Sequence, residues 1–136
     1  QEIYAAYRRA FKPLEAEGLL QLPVIPEDCE SNYHLFYVIL PTAEQRESVL
    51  QRIKSAGVHA VFHYVPLHNS PKGKELVGEV TLPVTEDLSA RLIRMPMYFD
   101  LASAECDQIL GVLIDVVRNL EANSSKGCLP VMPQLY

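Results

Sequence analysis

No run in this chain approaches the roughly 20 consecutive apolar residues that a membrane-spanning helix requires. The apolar residues near the start are interrupted by Arg8, Arg9 and Lys12, a pattern foreign to secretory signals, so a cytoplasmic protein is expected. Basic charge is scarce: 12 Lys and Arg against 17 Asp and Glu leave a net charge of -5. Polyphosphate and anionic membranes attract basic fields, and neither nucleic acid nor membrane is an expected partner. Cysteine is thin as well. Cys29, Cys106 and Cys128 are odd in number and without CxxC spacing, which excludes a disulfide framework or a zinc knuckle and suits a reducing compartment.

The signatures of a self-contained enzyme are also missing. There is no GxSxG elbow, no glycine-rich phosphate cradle and no pair of carboxylates at helical spacing on an apolar face. Internal repeats and low-complexity blocks are absent, and 136 residues with 49% hydrophobic and 21% charged residues make one ordinary domain.

What is present alternates between helix and strand patterns. Ile3, Tyr7, Ala10, Phe11 and Leu14 form a helical stripe already under way at the start, with no cap ahead of it, as though the chain were cut from something longer. That helix is expected to kink or end near Pro13, with Gly18 closing it. Leu19 to Val24 is extended, and Tyr33 to Leu40 reads as a buried strand. Thr42 with Gln45 makes a capping box for a helix through Val49, Leu50 and Ile53 that Gly57 stops.

Val58 to Tyr64 is expected as a second strand, followed from Val65 to Val84 by a connection without periodicity. Thr85 would cap a brief helix to Leu92, and Pro96 leaves Met95 to Phe99 extended. Ser103 would cap the last helix, whose face of Ile109, Leu110, Leu113, Val116, Val117 and Leu120 should lie on the sheet. The tail from Asn123 has no periodicity and no assignable role. The sum is an α+β fold: a small, mostly antiparallel sheet with helices packed on one side.

Chemistry concentrates where an apolar strand meets a proline turn, His63-Tyr64-Val65-Pro66-Leu67-His68. His59, His63 and His68 could suggest a metal, but His59 and His63 on one strand would stand about 13 Å apart, too far for both to ligate one ion. Structural or hydrogen-bonding histidine is the preferred reading. Ser70, Lys72 and Lys74 sit nearby without an activating arrangement. Tyr33, Phe36 and Tyr37 read as core, Asn32 as a strand cap that could also reach a ligand, and Arg91 and Arg94 as solvated charges.

Three ordered segments, SNYHLFYVILP (Ser31 to Pro41), AGVHAVFHYVPLHNSPKGK (Ala56 to Lys74) and TEDLSARLIRMPMYFDLASAE (Thr85 to Glu105), closely resemble the C-terminal small domain of DegT/DnrJ/StrS-type sugar aminotransferases. Within that family the chain is most similar to the dTDP-4-amino-4,6-dideoxygalactose transaminases. Met95 and Met97 replace the usual leucines, and Lys72 replaces a small residue.

The resemblance implies the small domain of a fold-type-I enzyme. Residues 1–18 would end an interdomain helix, 19–122 would form the small domain, and 123–136 would be a tail. The complete enzyme would use pyridoxal phosphate to move an amino group from glutamate to the 4-keto carbon of a nucleotide-linked 6-deoxy sugar, in lipopolysaccharide or other surface-polysaccharide assembly. The cofactor-holding lysine lies in the family's large domain. This chain alone is therefore expected to bind no cofactor, to carry no catalytic residue and to be inactive. His63, Tyr64 and His68, with Asn32, carry over as substrate-side residues. An apolar face normally covered by the large domain should drive self-association. The rival expectation is a stand-alone, non-catalytic module that binds a small ligand or a protein.

Overall fold

The computed structural model describes residues 1–121. Its first helix, α1 (Glu2–Ala16), buries Tyr4, Tyr7, Phe11 and Leu14 along one stripe, the spacing that a 3.6-residue period places on a single face. Pro13 does not end it. The helix runs on to Ala16, and Gly18, at φ +77°, then turns the chain aside in a conformation that a side chain would resist.

Two short strands, β1 (Tyr37–Ile39) and β2 (Leu92–Arg94), pair antiparallel with Val38 opposite Ile93. Single-residue bridges extend the ladder on both sides, Gln21 to Ile39 and Val61 to Arg94, both antiparallel. Phe36, Val38, Ile93 and Met95 are buried on the helical side, whereas Tyr37, Leu92 and Arg94 on the opposite face remain half-buried. This is the expected α+β arrangement of a small antiparallel sheet and helices.

The helix α2 (Ala43–Ser55) starts as its capping pattern requires, with the Thr42 hydroxyl accepting from the Gln45 amide at 3.2 Å, and Gly57 at φ +82° follows its end. The last helix, α5 (Ser103–Glu121), buries Ile109, Leu110, Leu113 and Val117. Its main contacts are α2 and α1, not the strands, because so short a sheet leaves the helices to cover one another. Phe36 is the hub of the core: its ring centroid lies 4.9 Å from Tyr4, 5.2 Å from Tyr7 and 6.1 Å from Phe11. These aromatics lock α1 to the segment entering β1.

Several sequence expectations need correction. The strand expected over Val58 to Tyr64 contracts to the bridge at Val61, since Tyr64 takes φ +63° and cannot continue an extended ladder. Likewise Tyr33, at φ +53°, delays β1 to Tyr37. The extended piece from Leu19 to Val24 pairs through Gln21 alone.

The connection from Val65 to Val84 holds a 3-10 turn (Leu67–Asn69) and the helix α3 (Pro71–Val77), capped by the Ser70 hydroxyl, which accepts from the Gly73 amide at 3.0 Å. Proline at the first helical position needs no donor, so Pro71 starts this helix. For the same reason α4 (Pro83–Arg91) begins at Pro83, with Leu82 rather than Thr85 at its cap position. Ser103 is the first residue of α5, not the residue ahead of it, and the Ala102 amide there donates to Glu105 Oε2 at 3.1 Å. The tail assigned to 123–136 lies outside the described residues.

Candidate functional site

The chain leaves the sheet at Val61, whose amide and carbonyl pair with Arg94 at 3.1 and 2.7 Å, and the next residues stand out from the body. Pro66 ahead of the 3-10 turn fixes one backbone angle and restricts Val65 before it. Tyr64 absorbs the change of direction at φ +63°, in a region that costs a non-glycine residue of order 1 kcal/mol or more. Its side chain packs on His63, ring centroids 4.8 Å apart, yet the residue is 66% exposed. His63 is half-buried, and its Nδ1 is shielded from solvent without a hydrogen-bond partner among the described residues. A buried polar atom left unpaired costs about 1–3 kcal/mol, so strain and unspent bonding capacity meet in two adjacent residues.

His68 behaves differently. Its side chain is 8% exposed, and Nε2 donates to Glu86 Oε1 at 2.9 Å. The Leu82 amide donates to the same oxygen at 3.0 Å, and the hydrogen bonds from His68 first, then Leu82, hold the Glu86 carboxyl below the usual glutamate range. Asn32 stands apart from this group in its bonding: its Oδ1 accepts from the His34 amide at 3.3 Å and lies 2.6 Å from His34 Nδ1. The structure thus brings His63 and Tyr64 together, ties His68 to Glu86, 18 residues further along the chain, and uses Asn32 in a local turn.

Neither large concavity includes these residues. One cavity of about 540 Å³ is lined by His34, His59, Arg94, Glu105 and Gln108 among others, and one of about 790 Å³ lies beside the start of α1. The candidate site is a projecting turn, one wall without its opposite. Around it Phe62, Val65, Leu67, Leu76, Val77, Leu82 and Val84 are exposed, Leu67 at 85%.

Sequence reading missed Glu86 as the partner of His68, since nothing in local spacing announces a contact across the intervening helix. It also missed Arg46, whose guanidinium lies 6.0 Å from the Phe62 ring centroid while its Nε donates to the Ala90 carbonyl. Arg91 is not a solvated charge. Its side chain is 11% exposed, pairs with Asp87 and donates to the Leu40 carbonyl at 3.0 Å. Arg94 belongs to β2, not to a helix surface.

The model of the DegT/DnrJ/EryC1/StrS aminotransferase family matches residues 1–114. The chain belongs to this family. Among similar proteins of the aminotransferase group is a dTDP-4-dehydro-2,3,6-trideoxy-D-glucose 4-aminotransferase of Saccharopolyspora spinosa, 30% identical over 77% of this chain and 26% of its own length. A dTDP-3-amino-3,4,6-trideoxy-alpha-D-glucose transaminase of Micromonospora megalomicea is 28% identical over 88% of the chain and 34% of its own length. The crystal structure of the aminotransferase TlmJ from Streptoalloteichus hindustanus shares the fold, with a TM-score of 0.75 at 22% identity over 88% of this chain and 32% of that one. The chain thus spans about a quarter to a third of the length of these DegT/DnrJ/EryC1/StrS relatives.

Pyridoxal phosphate, which the family resemblance implies for a complete enzyme, is held through a lysine in an enclosed site. The described residues do not fit it. Lys12 and Lys54 are exposed, Lys72 and Lys74 pair with Glu75 and Glu79 on the outside of α3, and neither cavity has a lysine in its lining. No helix among the described residues is long and apolar enough to cross a membrane.

Proposed function

We propose that this chain is the C-terminal small domain of a pyridoxal-phosphate sugar aminotransferase and that its projecting turn forms the substrate-side wall of the cleft. The observation that carries this reading is the His63–Tyr64 pair, an exposed phenol on a left-handed backbone beside an imidazole with a buried nitrogen that has no hydrogen-bond partner among the described residues. Such groups offer hydrogen bonds that a ligand or a facing domain can complete. Held on a turn anchored to the sheet, they would orient a bound sugar and lower the entropic part of the barrier. Asn32 is assigned the same side with a turn-forming role.

In this reading residues 1–18 end an interdomain helix, 19–122 make the small domain, and the tail from 123 has no assigned task. The cofactor supplies the amino-transfer chemistry from the remainder of the enzyme. The complete protein moves an amino group from glutamate to the 4-keto carbon of a nucleotide-linked 6-deoxy sugar, with a dTDP-4-amino-4,6-dideoxygalactose-type product for lipopolysaccharide or another surface polysaccharide, in the cytoplasm. The names of the dTDP-sugar relatives support the substrate class. The chain by itself is inactive, having no lysine placed for the cofactor among its described residues.

The test separates the two halves of the reaction. In the complete enzyme, His63→Ala and Tyr64→Phe should raise KM for the keto-sugar nucleotide by roughly tenfold, the worth of one hydrogen bond of about 1.4 kcal/mol, and leave the glutamate half unchanged. Equal losses in both halves would overturn the assignment. The 136-residue chain mixed with pyridoxal phosphate and borohydride should give no stoichiometric lysine adduct and no turnover.

A further inference from the structure

We infer that Glu86 is a positioning residue for the projecting turn, acting through His68, and that His68 holds this turn rather than touching substrate. The inference deepens the reading above, in which His63 and Tyr64 face the sugar.

The argument starts from one carboxylate oxygen. Glu86 Oε1 lies 2.9 Å from His68 Nε2 and 3.0 Å from the Leu82 amide, so it gathers both ends of the segment that carries α3. Hydrogen bonds to an ionised carboxylate are stronger than neutral ones, and closing a loop removes chain entropy that must otherwise be overcome on ordering.

The fixed point is α4 itself. The Arg46 Nε donates to the Ala90 carbonyl at 2.8 Å, the Arg91 Nη1 donates to the Leu40 carbonyl at 3.0 Å, and the Leu40 amide donates to the Arg91 carbonyl at 3.0 Å. Glu86 is thus rooted in the core through the far end of its helix.

At the other end the turn is anchored by Val61 on Arg94. Phe62 to Leu67 hang between these two points, and four of them are exposed: Phe62, Tyr64, Val65 and Leu67. Within the turn, contact between His63 and Tyr64 fixes one ring against the other, and the Phe62 ring lies 6.0 Å from the Arg46 guanidinium on the Val61 side, but neither contact holds the downstream end of the turn. The His68–Glu86 bond supplies that second attachment. It also commits Nε2 of His68, and with the side chain 8% exposed little of the imidazole is left to meet a sugar.

Amide hydrogen exchange on the full 136-residue chain tests the attachment without requiring activity. Glu86→Ala should speed exchange across 62–77 by roughly tenfold or more, as loss of a charged hydrogen bond predicts, while 36–40 and 109–117 keep their protection. His68→Ala should do the same, and the double variant should add little to either. Glu86→Gln, which keeps an acceptor oxygen, should recover part of the protection. Unchanged exchange in 62–77, or an equal rise everywhere, would overturn the inference.

In the complete enzyme the expected companion result is a higher KM for the keto-sugar nucleotide in Glu86→Ala, with kcat and the glutamate half little changed. An opened turn with unaltered KM would sink the substrate-wall reading while sparing the attachment, so the two failures are distinguishable.

Discussion

Tyr7 shows how a single polar atom can be spent deep in an aromatic core. Its ring is fully buried, its hydroxyl donates to the Pro96 carbonyl at 2.6 Å, and burial raises its pKa far above the ordinary tyrosine value. Tyr7→Phe keeps the packing and orphans the carbonyl. We expect a loss of about 1–2 kcal/mol, read as a lower midpoint in urea with an unchanged slope. Tyr64 makes the opposite case, since its left-handed backbone is a cost set against little packing, a ring contact with His63 on a residue that is 66% exposed. Tyr64→Gly should stabilise the isolated chain by up to about 1 kcal/mol and at the same time weaken the use of the keto-sugar nucleotide in the complete enzyme. A destabilised chain in thermal unfolding would show that the tyrosine ring, not the backbone, dominates there.

At the scale of elements, the Glu86 attachment carries a pH signature. Its folded pKa is depressed, by the His68 hydrogen bond foremost, so the stabilisation it lends is full above the unfolded glutamate range. It persists somewhat below that range and disappears only as pH falls through the depressed value. Exchange of 62–77, corrected for its intrinsic pH dependence, should therefore loosen in acid below about pH 4.5, the ordinary glutamate pKa, ahead of the core helices.

The elements themselves were unevenly legible. α1, α2 and α5 were readable because burial on one face of a long helix imprints a period over several turns. The capping pair Thr42 and Gln45 was readable because its chemistry is local. The strands were overdrawn, since apolar content marks burial but not pairing, and positive φ at Tyr33 and Tyr64 left no mark in composition. α3 was hidden: seven residues with two lysines and a glycine have no apolar stripe, and Gly73 is needed because its backbone passes so near the Leu67 carbonyl that a Cβ would collide with it. Of the candidate site, the motif His63 to His68 gave the place, whereas Glu86 could be found only in three dimensions.

For the whole molecule, most of the exposed large apolar side chains among the described residues fall between Val61 and Val84, with Val24, Tyr98 and Phe99 outside that stretch. Phe62, Tyr64, Val65 and Leu67 on the turn and Leu76, Val77, Val80, Leu82 and Val84 beyond it are all solvent-facing. Apolar surface concentrated in this way drives association, so the isolated chain should sediment as dimers or larger species at high concentration, and Leu67→Ser with Leu76→Ser should shift it toward monomer. A clean monomer in the unsubstituted chain would count against the covered-face account.

The aromatic hub has a mechanical consequence. Because Tyr4, Tyr7 and Phe11 all bear on Phe36, and Tyr7 also grips Pro96 just past β2, α1 has no slack against the strands. A helix of this length is a rod of roughly 22 Å at 1.5 Å per residue. A tilt applied near Glu2 is therefore expected to load β1 and β2 together, and through Arg94 the bridge at Val61, so that exchange at the Val61 amide should respond to a substitution at Phe36.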